Sequence, residues 1–213
     1  MDGIVLELQR EALKQDGDIL SLLRKAYLIA RKLQLKDFEQ WVGKELNGYG
    51  SSDNIPTYRC LRGEVKAWNP YHGWIPVVFS YQSGLNIHEA RESIASLIDV
   101  YNKSEGHIAE VSFSDRVNSA LNRNGNVPFE TKFALHISMN QIFNIMESVR
   151  TALLEWSIAL EENGIVGDGM QFSKEEKEIA ATTPIINNYT TNFFGDVSNS
   201  QVQQGTENST QTH

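Results

Sequence analysis

The longest amphipathic stretch of the chain, Met139 to Glu162, constrains the fold more than any other feature. Its apolar residues recur at helical spacing over roughly six turns. They are Ile142, Ile145, Met146, Val149, Leu153, Trp156 and Leu160. A helix of this length runs across a whole small domain, so we expect it to form the spine against which the other elements pack.

The first 50 residues predict three more helices. One covers 4–14, a second is capped by Asp18 and has an apolar face with basic residues outside it, and a third covers 36–46. Asn47 and Gly48 end the third helix. The chain therefore begins with three consecutive helices.

The middle of the chain changes to a β pattern. Residues 49–55 have loop chemistry, and residues 58–68 read as an extended segment. Pro70 and Pro76 exclude a helix from the segment 69–77, so it is predicted to turn into a short strand, with Asn69, His72 and Trp74 close together at the turn.

Two more strands and one more helix are predicted between that turn and the long helix. The helix is capped by Asn86 and buries Ala90, Ile94, Leu97, Ile98 and Tyr101. The strands are indicated by Ile108, Val111 and Phe113 in one and by Phe133, Leu135 and Ile137 in the other, on either side of a turn region at 122–126.

The C-terminal part divides at a short acidic helix. Ser173 and Glu176 form a capping-box pattern at its start, and it ends near Ala181. The predicted fold class is α+β: a mainly helical globular domain over 1–181 with a small antiparallel sheet, followed by a polar, β-prone tail over 182–213.

The tail is rich in Asn, Gln, Ser and Thr and has no Lys or Arg in its last 31 residues. Its alternation favours β structure, yet it has too few apolar residues for a core of its own. One interpretation is self-association between identical strands, and the alternative is a disordered solubilising tail. The residues assigned to oligomerisation are Phe193, Phe194, Val197, Gln201, Val202 and Gln203.

Charge and composition exclude several classes of protein. A formal net charge of -8 argues against general affinity for nucleic-acid phosphates. The single cysteine, Cys60, forms no internal disulfide and is expected to be half-buried in a reducing compartment. No stretch approaches the ~18 apolar residues of a membrane span. We expect a cytoplasmic protein.

Motifs for catalysis are scarce. None of His72, His88, His107 and His136 has a second histidine at helical ligand spacing, so no metal and no cofactor is expected. One short pattern, Asp53 followed by Glu64 and Lys66, resembles that of metal-dependent nucleases, in which two carboxylates hold Mg²⁺ and the lysine supports the attacking water. This pattern is the catalytic alternative.

Aromatic and polar residues cluster around the predicted turn. They are Trp68, Asn69, Tyr71, His72 and Trp74. The functional interpretation is a surface that binds a ligand or a partner, and the alternative is an aromatic edge of the core.

Three segments resemble the AbiTii domain family in the same order along the chain. They are LIARKLQLKDFEQWVGKELNGY (28–49), WNPYHGWIPV (68–77) and VRTALLEWSIALE (149–161). The resemblance implies a role in bacterial defence against phage through abortive infection, and it carries no catalytic residues.

Two hypotheses follow from these observations. The first is a non-enzymatic component that binds a partner protein or a phage product and forms a homo-oligomer. The second is a nuclease that uses Asp53, Glu64 and Lys66.

Overall fold

A computed structural model describes residues 3–14, 17–77, 84–104, 106–124 and 130–183. The helices in this part are α1 (Ile4–Ala12), α2 (Ile19–Leu33), α3 (Lys36–Asn47), α4 (Ile94–Lys103), α5 (Asp115–Asn124), α6 (Met139–Glu162) and α7 (Lys174–Thr182). The strands are β1 (Cys60–Arg62), β2 (Glu64–Asn69), β3 (Gly73–Pro76), β4 (Ile87–Glu89), β5 (Ile108–Ser112) and β6 (Phe133–Ser138). The α+β prediction is confirmed.

Helix α6 is the spine that its periodicity predicts. All seven apolar residues assigned to its inward stripe are buried. It packs against α1, α2 and α4, and its Trp156 stacks on Phe38 of α3 with 3.8 Å between ring centroids. The core therefore lies between α6 and the three N-terminal helices.

The three N-terminal helices form where the sequence predicts them. The Asp18 side chain caps α2 by accepting a hydrogen bond from the Leu20 amide at 3.0 Å. Helix α3 ends at Gly48, whose φ of 92° suits glycine, and a Cβ there would lie 3.0 Å from the Arg91 carbonyl oxygen. Local capping chemistry sets both boundaries.

A four-stranded antiparallel sheet has the strand order β3-β2-β6-β5. Strand alternation sends Val65, Leu135 and Ile137 into the core. The opposite face, called the outer face below, carries Glu64, Lys66 and Trp68 from β2. On this face Trp68 pairs with Trp74 of β3, and Glu64 pairs with His136 of β6, which in turn pairs with Glu110 of β5. A separate two-stranded sheet pairs β1 with β4.

The extended segment predicted over 58–68 is interrupted. It contains the end of a single 3₁₀ turn (Thr57–Arg59), then β1, then β2. Gly63 separates the two strands, and a Cβ at this position would lie 2.6 Å from the His136 carbonyl oxygen. The close approach of β6 therefore requires glycine at this position. At Gly63 the chain passes from the two-stranded sheet to the four-stranded sheet.

The predicted Asn86 cap was wrong. Residues Ile87–Glu89 form β4, and the Asn86 carbonyl accepts a hydrogen bond from the Gly63 amide at 2.9 Å. The helix begins later, where the Ser93 hydroxyl accepts a hydrogen bond from the Ser96 amide. Here the backbone N–H and C=O groups form their hydrogen bonds between strands, in place of the hydrogen bonds that a helix would have provided.

Two further expectations also need correction. The predicted turn region at 122–126 overlaps helix α5, which ends at Asn124, while 125–129 lie outside the described residues. Tertiary hydrogen bonds of Asn118 and Asn122 on α5 account for a helix where local propensity is poor. Cys60 is exposed, not half-buried, because its side chain points away from the core side of β1.

The capping box of α7 is confirmed, since the Ser173 side chain and the Glu176 side chain each accept a hydrogen bond from the other's backbone amide.

The tail residues assigned to oligomerisation lie outside the described residues. They are Phe193, Phe194, Val197, Gln201, Val202 and Gln203. In the described part of the chain, no helix has the length and apolar character needed to cross a membrane.

Candidate functional site

The β2–β3 hairpin is closed by a turn that Asn69 organises. Its side-chain oxygen accepts hydrogen bonds from the amides of Tyr71 at 2.9 Å and His72 at 3.1 Å. Gly73 then adopts a φ of 71°, which glycine adopts without strain. The prediction that Asn69, His72 and Trp74 lie close together at a turn between two strands is confirmed. The turn leaves the Tyr71 side chain 89% exposed.

Two tryptophans stand side by side on the outer face of this hairpin. Trp68 and Trp74 are directly opposite each other in the register, with ring centroids 5.5 Å apart at 74°. Trp68 is 44% exposed. The Trp74 ring extends across β2 and meets the ring of His136 on β6 at 5.1 Å. The hairpin therefore carries an aromatic surface that reaches the middle of the sheet.

A row of titratable side chains crosses the same face. Glu64, His136 and Glu110 are aligned on β2, β6 and β5, and Lys66 lies 3.3 Å from Glu64. Burial, followed by the positive charge of Lys66, lowers the pKa of His136, although the two glutamates act in the opposite direction. Within the described part of the chain, the buried Nε2 of His136 has no hydrogen-bond partner.

A groove of about 680 Å³ lies between this aromatic surface and α5. Trp74 forms one side, Glu110 comes from β5, and Asp115 comes from the first turn of α5. Glu130 and Lys132, from the segment that precedes β6, complete its charged lining. A second, adjoining depression adds Trp68 and Pro70. The residues that line both depressions are Trp74, Glu110, Glu130, Thr131 and Lys132. We call the two together the Trp74 groove.

Two asparagines of α5 hold the far wall of the Trp74 groove. The Asn122 side chain exchanges two hydrogen bonds with the backbone of Thr131, at 2.8 and 2.9 Å. The Asn118 side chain accepts from the Phe133 amide at 2.8 Å. The Thr131 hydroxyl donates to the Trp68 carbonyl, which ties this wall to the hairpin. The groove is therefore built from packed elements and their hydrogen bonds.

The residues of the nuclease pattern have different surroundings. Glu64 and Lys66 are in contact on β2. Asp53 instead lies 3.0 Å from Lys44 of α3 and accepts a hydrogen bond from the Gly50 amide. Lys44 and this amide hold the pKa of Asp53 below its ordinary value. Across the described ranges, no group of three or more His, Cys, Asp or Glu side chains is arranged to hold a metal ion.

A buried ion pair is the polar feature that the sequence interpretation missed. Glu45 of α3 and Arg59 are both 0% exposed, and Arg59 donates from Nε at 3.1 Å and from Nη2 at 2.5 Å to the two carboxylate oxygens. Arg59 Nη1 donates to the carbonyls of Ala90 at 2.7 Å and Glu92 at 2.8 Å. The pair thus joins α3 to the segment that enters α4.

Two tyrosines complete this buried cluster. The hydroxyls of Tyr49 and Tyr58 donate to Glu45 Oε1 at 2.6 and 2.7 Å, and the Trp41 ring nitrogen donates to the Tyr58 hydroxyl at 2.9 Å. Burial, followed by the charge of Glu45, raises the pKa of both tyrosines. The sequence did contain a signal for this cluster, the four-residue spacing of Trp41, Glu45 and Tyr49. This spacing places a glutamate on the inward side of α3, where it needs a buried partner.

Comparison with known proteins supplies one match. The model of the AbiTii family matches residues 3–185, which is most of the chain. No curated protein matches the chain, and no solved structure matches it. The match extends over all the described elements, from α1 to α7.

Proposed function

This chain belongs to the AbiTii family, and on that premise we propose that it is a non-enzymatic, partner-binding component of a bacterial abortive-infection system. The family indicates a role in defence against phage. The finer proposal is that the β2–β3 hairpin binds a partner protein or a phage component through Trp68, Asn69, Tyr71, His72 and Trp74.

The observation that supports this proposal is the exposure of large aromatics on an ordered turn. Tyr71 is 89% exposed and Trp68 44% exposed, while Asn69 fixes the backbone between them by two hydrogen bonds. Tyrosine and tryptophan contribute much of the binding energy of protein interfaces at low cost in side-chain entropy. Because the turn that carries them is already ordered, its backbone loses little further conformational entropy on binding.

Protection of cells against phage tests the role of the hairpin. Tyr71→Ala removes exposed aromatic surface and should reduce protection without lowering the melting temperature. Adding Trp68→Ala should reduce protection further, and circular dichroism checks that this variant, which also loses the contact with Trp74, remains folded. Leu13→Ala is the matched control, because Leu13 is 71% exposed at the end of α1, a helix that packs against α2 and α6. Full protection by both hairpin variants would refute this binding surface.

We further propose that the protein assembles through its C-terminal tail. The support is compositional, because the Asn and Gln side chains of this segment suit ladders between identical strands. Light scattering gives the number of subunits in each particle. A chain ending at Thr182 should form particles with fewer subunits than the full chain does. Equal numbers of subunits in the two particles would end the proposal of tail-mediated assembly.

The nuclease alternative makes a different prediction. If Glu64 and Lys66 support hydrolysis, Glu64→Ala with Lys66→Ala should abolish both protection and Mg²⁺-dependent cleavage of nucleic acid by the purified protein. Under the binding proposal, the purified parent protein cleaves neither DNA nor RNA. Cleavage by the parent that the double variant lacks would favour the alternative.

A further inference from the structure

We propose that the Trp74 groove binds an arginine side chain on a segment of the partner protein. This inference rests on the proposed function, and it specifies the chemistry by which the outer face recognises its partner. The groove combines an aromatic side with carboxylates that face it, a combination that suits a flat cation.

The strand register explains how this combination arises. Trp74 is on β3 and Glu110 is on β5, which are the two edge strands of the four-stranded sheet. They line the same groove because the Trp74 ring extends inward across β2 to the His136 ring on β6. A ligand in the groove therefore contacts aromatic and acidic groups together.

The charge of the groove favours a cation. Its lining has three carboxylates, those of Glu110, Asp115 and Glu130, and one ammonium group, that of Lys132. Among the described residues, no Lys or Arg forms an ion pair with any of the three carboxylates. All three are exposed, so they remain hydrated and accessible to an incoming positive charge.

An arginine fits these groups better than a lysine does. A guanidinium group is planar, stacks on an indole ring and donates two parallel hydrogen bonds to a carboxylate. A lysine ammonium is a strongly hydrated point charge without that geometry. Trp68, which is exposed, and Trp74, which is half-buried, supply the aromatic surface. Glu110 and Glu130, which border both parts of the groove, supply the acceptors.

The hydrogen bonds of Asn118 and Asn122 hold Glu130 and Lys132 close to the sheet, because they fix the backbone of Thr131 and Phe133 between and beside these residues. The aromatic side is equally fixed by the paired strands β2 and β3. The groove is therefore formed before a ligand arrives, which lowers the entropy cost of binding.

The test uses a capped hexapeptide with two arginines, titrated into the full chain at low salt and followed by tryptophan fluorescence and calorimetry. Two comparison peptides replace both arginines by citrulline or by lysine. We expect the arginine peptide to bind, the lysine peptide to bind at least ~3-fold more weakly, and the citrulline peptide to bind at least ~10-fold more weakly. Binding of the arginine peptide should become weaker when the salt concentration is raised to ~150 mM.

A pair of charge-matched variants assigns the binding to the groove. Glu110→Gln with Glu130→Gln should weaken the arginine peptide at least ~10-fold. Glu162→Gln with Glu175→Gln makes the same change in net charge on α6 and α7 and should leave the affinity within ~2-fold. Equal losses in both double variants would mean attraction to the general negative charge of the protein, and would overturn the proposal.

Three further outcomes would also overturn it. One is equal affinity for the arginine and citrulline peptides. Another is affinity for free spermidine that matches that of the arginine peptide, since the groove would then bind small polyamines. The third is a fall in oligomer mass in Glu110→Gln with Glu130→Gln while peptide binding is unchanged, since the occupant would then be a second copy of the chain.

This test can fail independently of the proposed function. If the arginine peptide does not bind but Tyr71→Ala still loses protection, the hairpin binds a partner of other chemistry. If the peptide binds but the hairpin and groove variants all protect fully, the groove binds arginine, and the proposal that these surfaces act in defence is wrong.

Discussion

Replacing Glu45 by glutamine tests the buried ion pair between α3 and Arg59. Glu45 accepts four hydrogen bonds, two from the Arg59 guanidinium and two from the hydroxyls of Tyr49 and Tyr58. Glutamine has nearly the same shape, but only one of its two terminal atoms is an acceptor. Its amide group then faces a buried guanidinium group or buried hydroxyls that also donate.

The expected loss of stability follows from these contacts. Arg59 keeps its hydrogen bonds to the Ala90 and Glu92 carbonyls, but it becomes a buried charge without a counter-ion. Removing one partner of a buried pair costs about 3–5 kcal/mol. Since 1 kcal/mol corresponds to about 2–4 °C in a protein of this size, the melting temperature should fall by roughly 12 °C.

Urea denaturation, followed by circular dichroism and tryptophan fluorescence, measures this loss. Trp41 donates to Tyr58 within the cluster, and it is one of the four tryptophans that contribute to the fluorescence signal. Glu39→Gln on the same helix is the control, because its 3.7 Å contact with Arg31 lies at the surface and should contribute less than ~1 kcal/mol.

A double variant separates the charge from the packing. Glu45→Leu with Arg59→Met removes both charges and should be more stable than Glu45→Gln, because no buried charge is left unpaired. If Glu45→Gln unfolds within ~1 kcal/mol of the parent at an unchanged urea slope, the pair is not an important source of stability and this reasoning is wrong.

Trp156→Ala should cost about 3–5 kcal/mol in urea denaturation, because its ring is fully buried, whereas Ile158→Ala on the outer side of α6 should cost less than ~1 kcal/mol. Burial and Lys66 lower the pKa of His136, so the unfolded chain binds a proton at this residue more readily than the folded protein does. The free energy of unfolding should therefore decrease as pH drops below about 6.5. Between about pH 7.5 and 5, the melting temperature of His136→Asn should fall less than that of the parent. Burial opposes ionisation of Glu176, yet amide donors led by that of Ser173 hold its pKa below the ordinary value. Glu176→Gln should therefore cost about 1–2 kcal/mol at neutral pH, a difference that shrinks as pH falls below about 4.

The exposed aromatic turn and the buried cluster explain two of the segments on which the family resemblance rests. The segment 28–49 contains Trp41, Glu45 and Tyr49, which are joined to Arg59 through hydrogen bonds in the core. The segment 68–77 forms the hairpin and its tryptophan pair. The first segment thus secures the fold, and the second forms the proposed binding surface.

The sequence by itself determined the elements whose signals are local. Helices α2, α3 and α6 follow from apolar residues at helical spacing and from caps within a few residues of each end, such as Asp18 and Gly48. The hairpin turn follows from Asn69, Pro70 and Gly73, whose preferences act over four residues. Such interactions depend only on the order of neighbouring residues, so the sequence alone identifies them.

Only the tertiary structure decided the features that join distant residues. Asn86 starts no helix because its carbonyl is bound by Gly63 across the β1–β4 sheet, and α5 is held by asparagines that reach the backbone of Thr131 and Phe133. Glu45 finds its counter-ion 14 residues away, and Trp74 shares its groove with Glu110 of the opposite edge strand. A polar or charged residue satisfied by a distant partner has no local pattern, because its energy depends on pairings that the folded core alone creates.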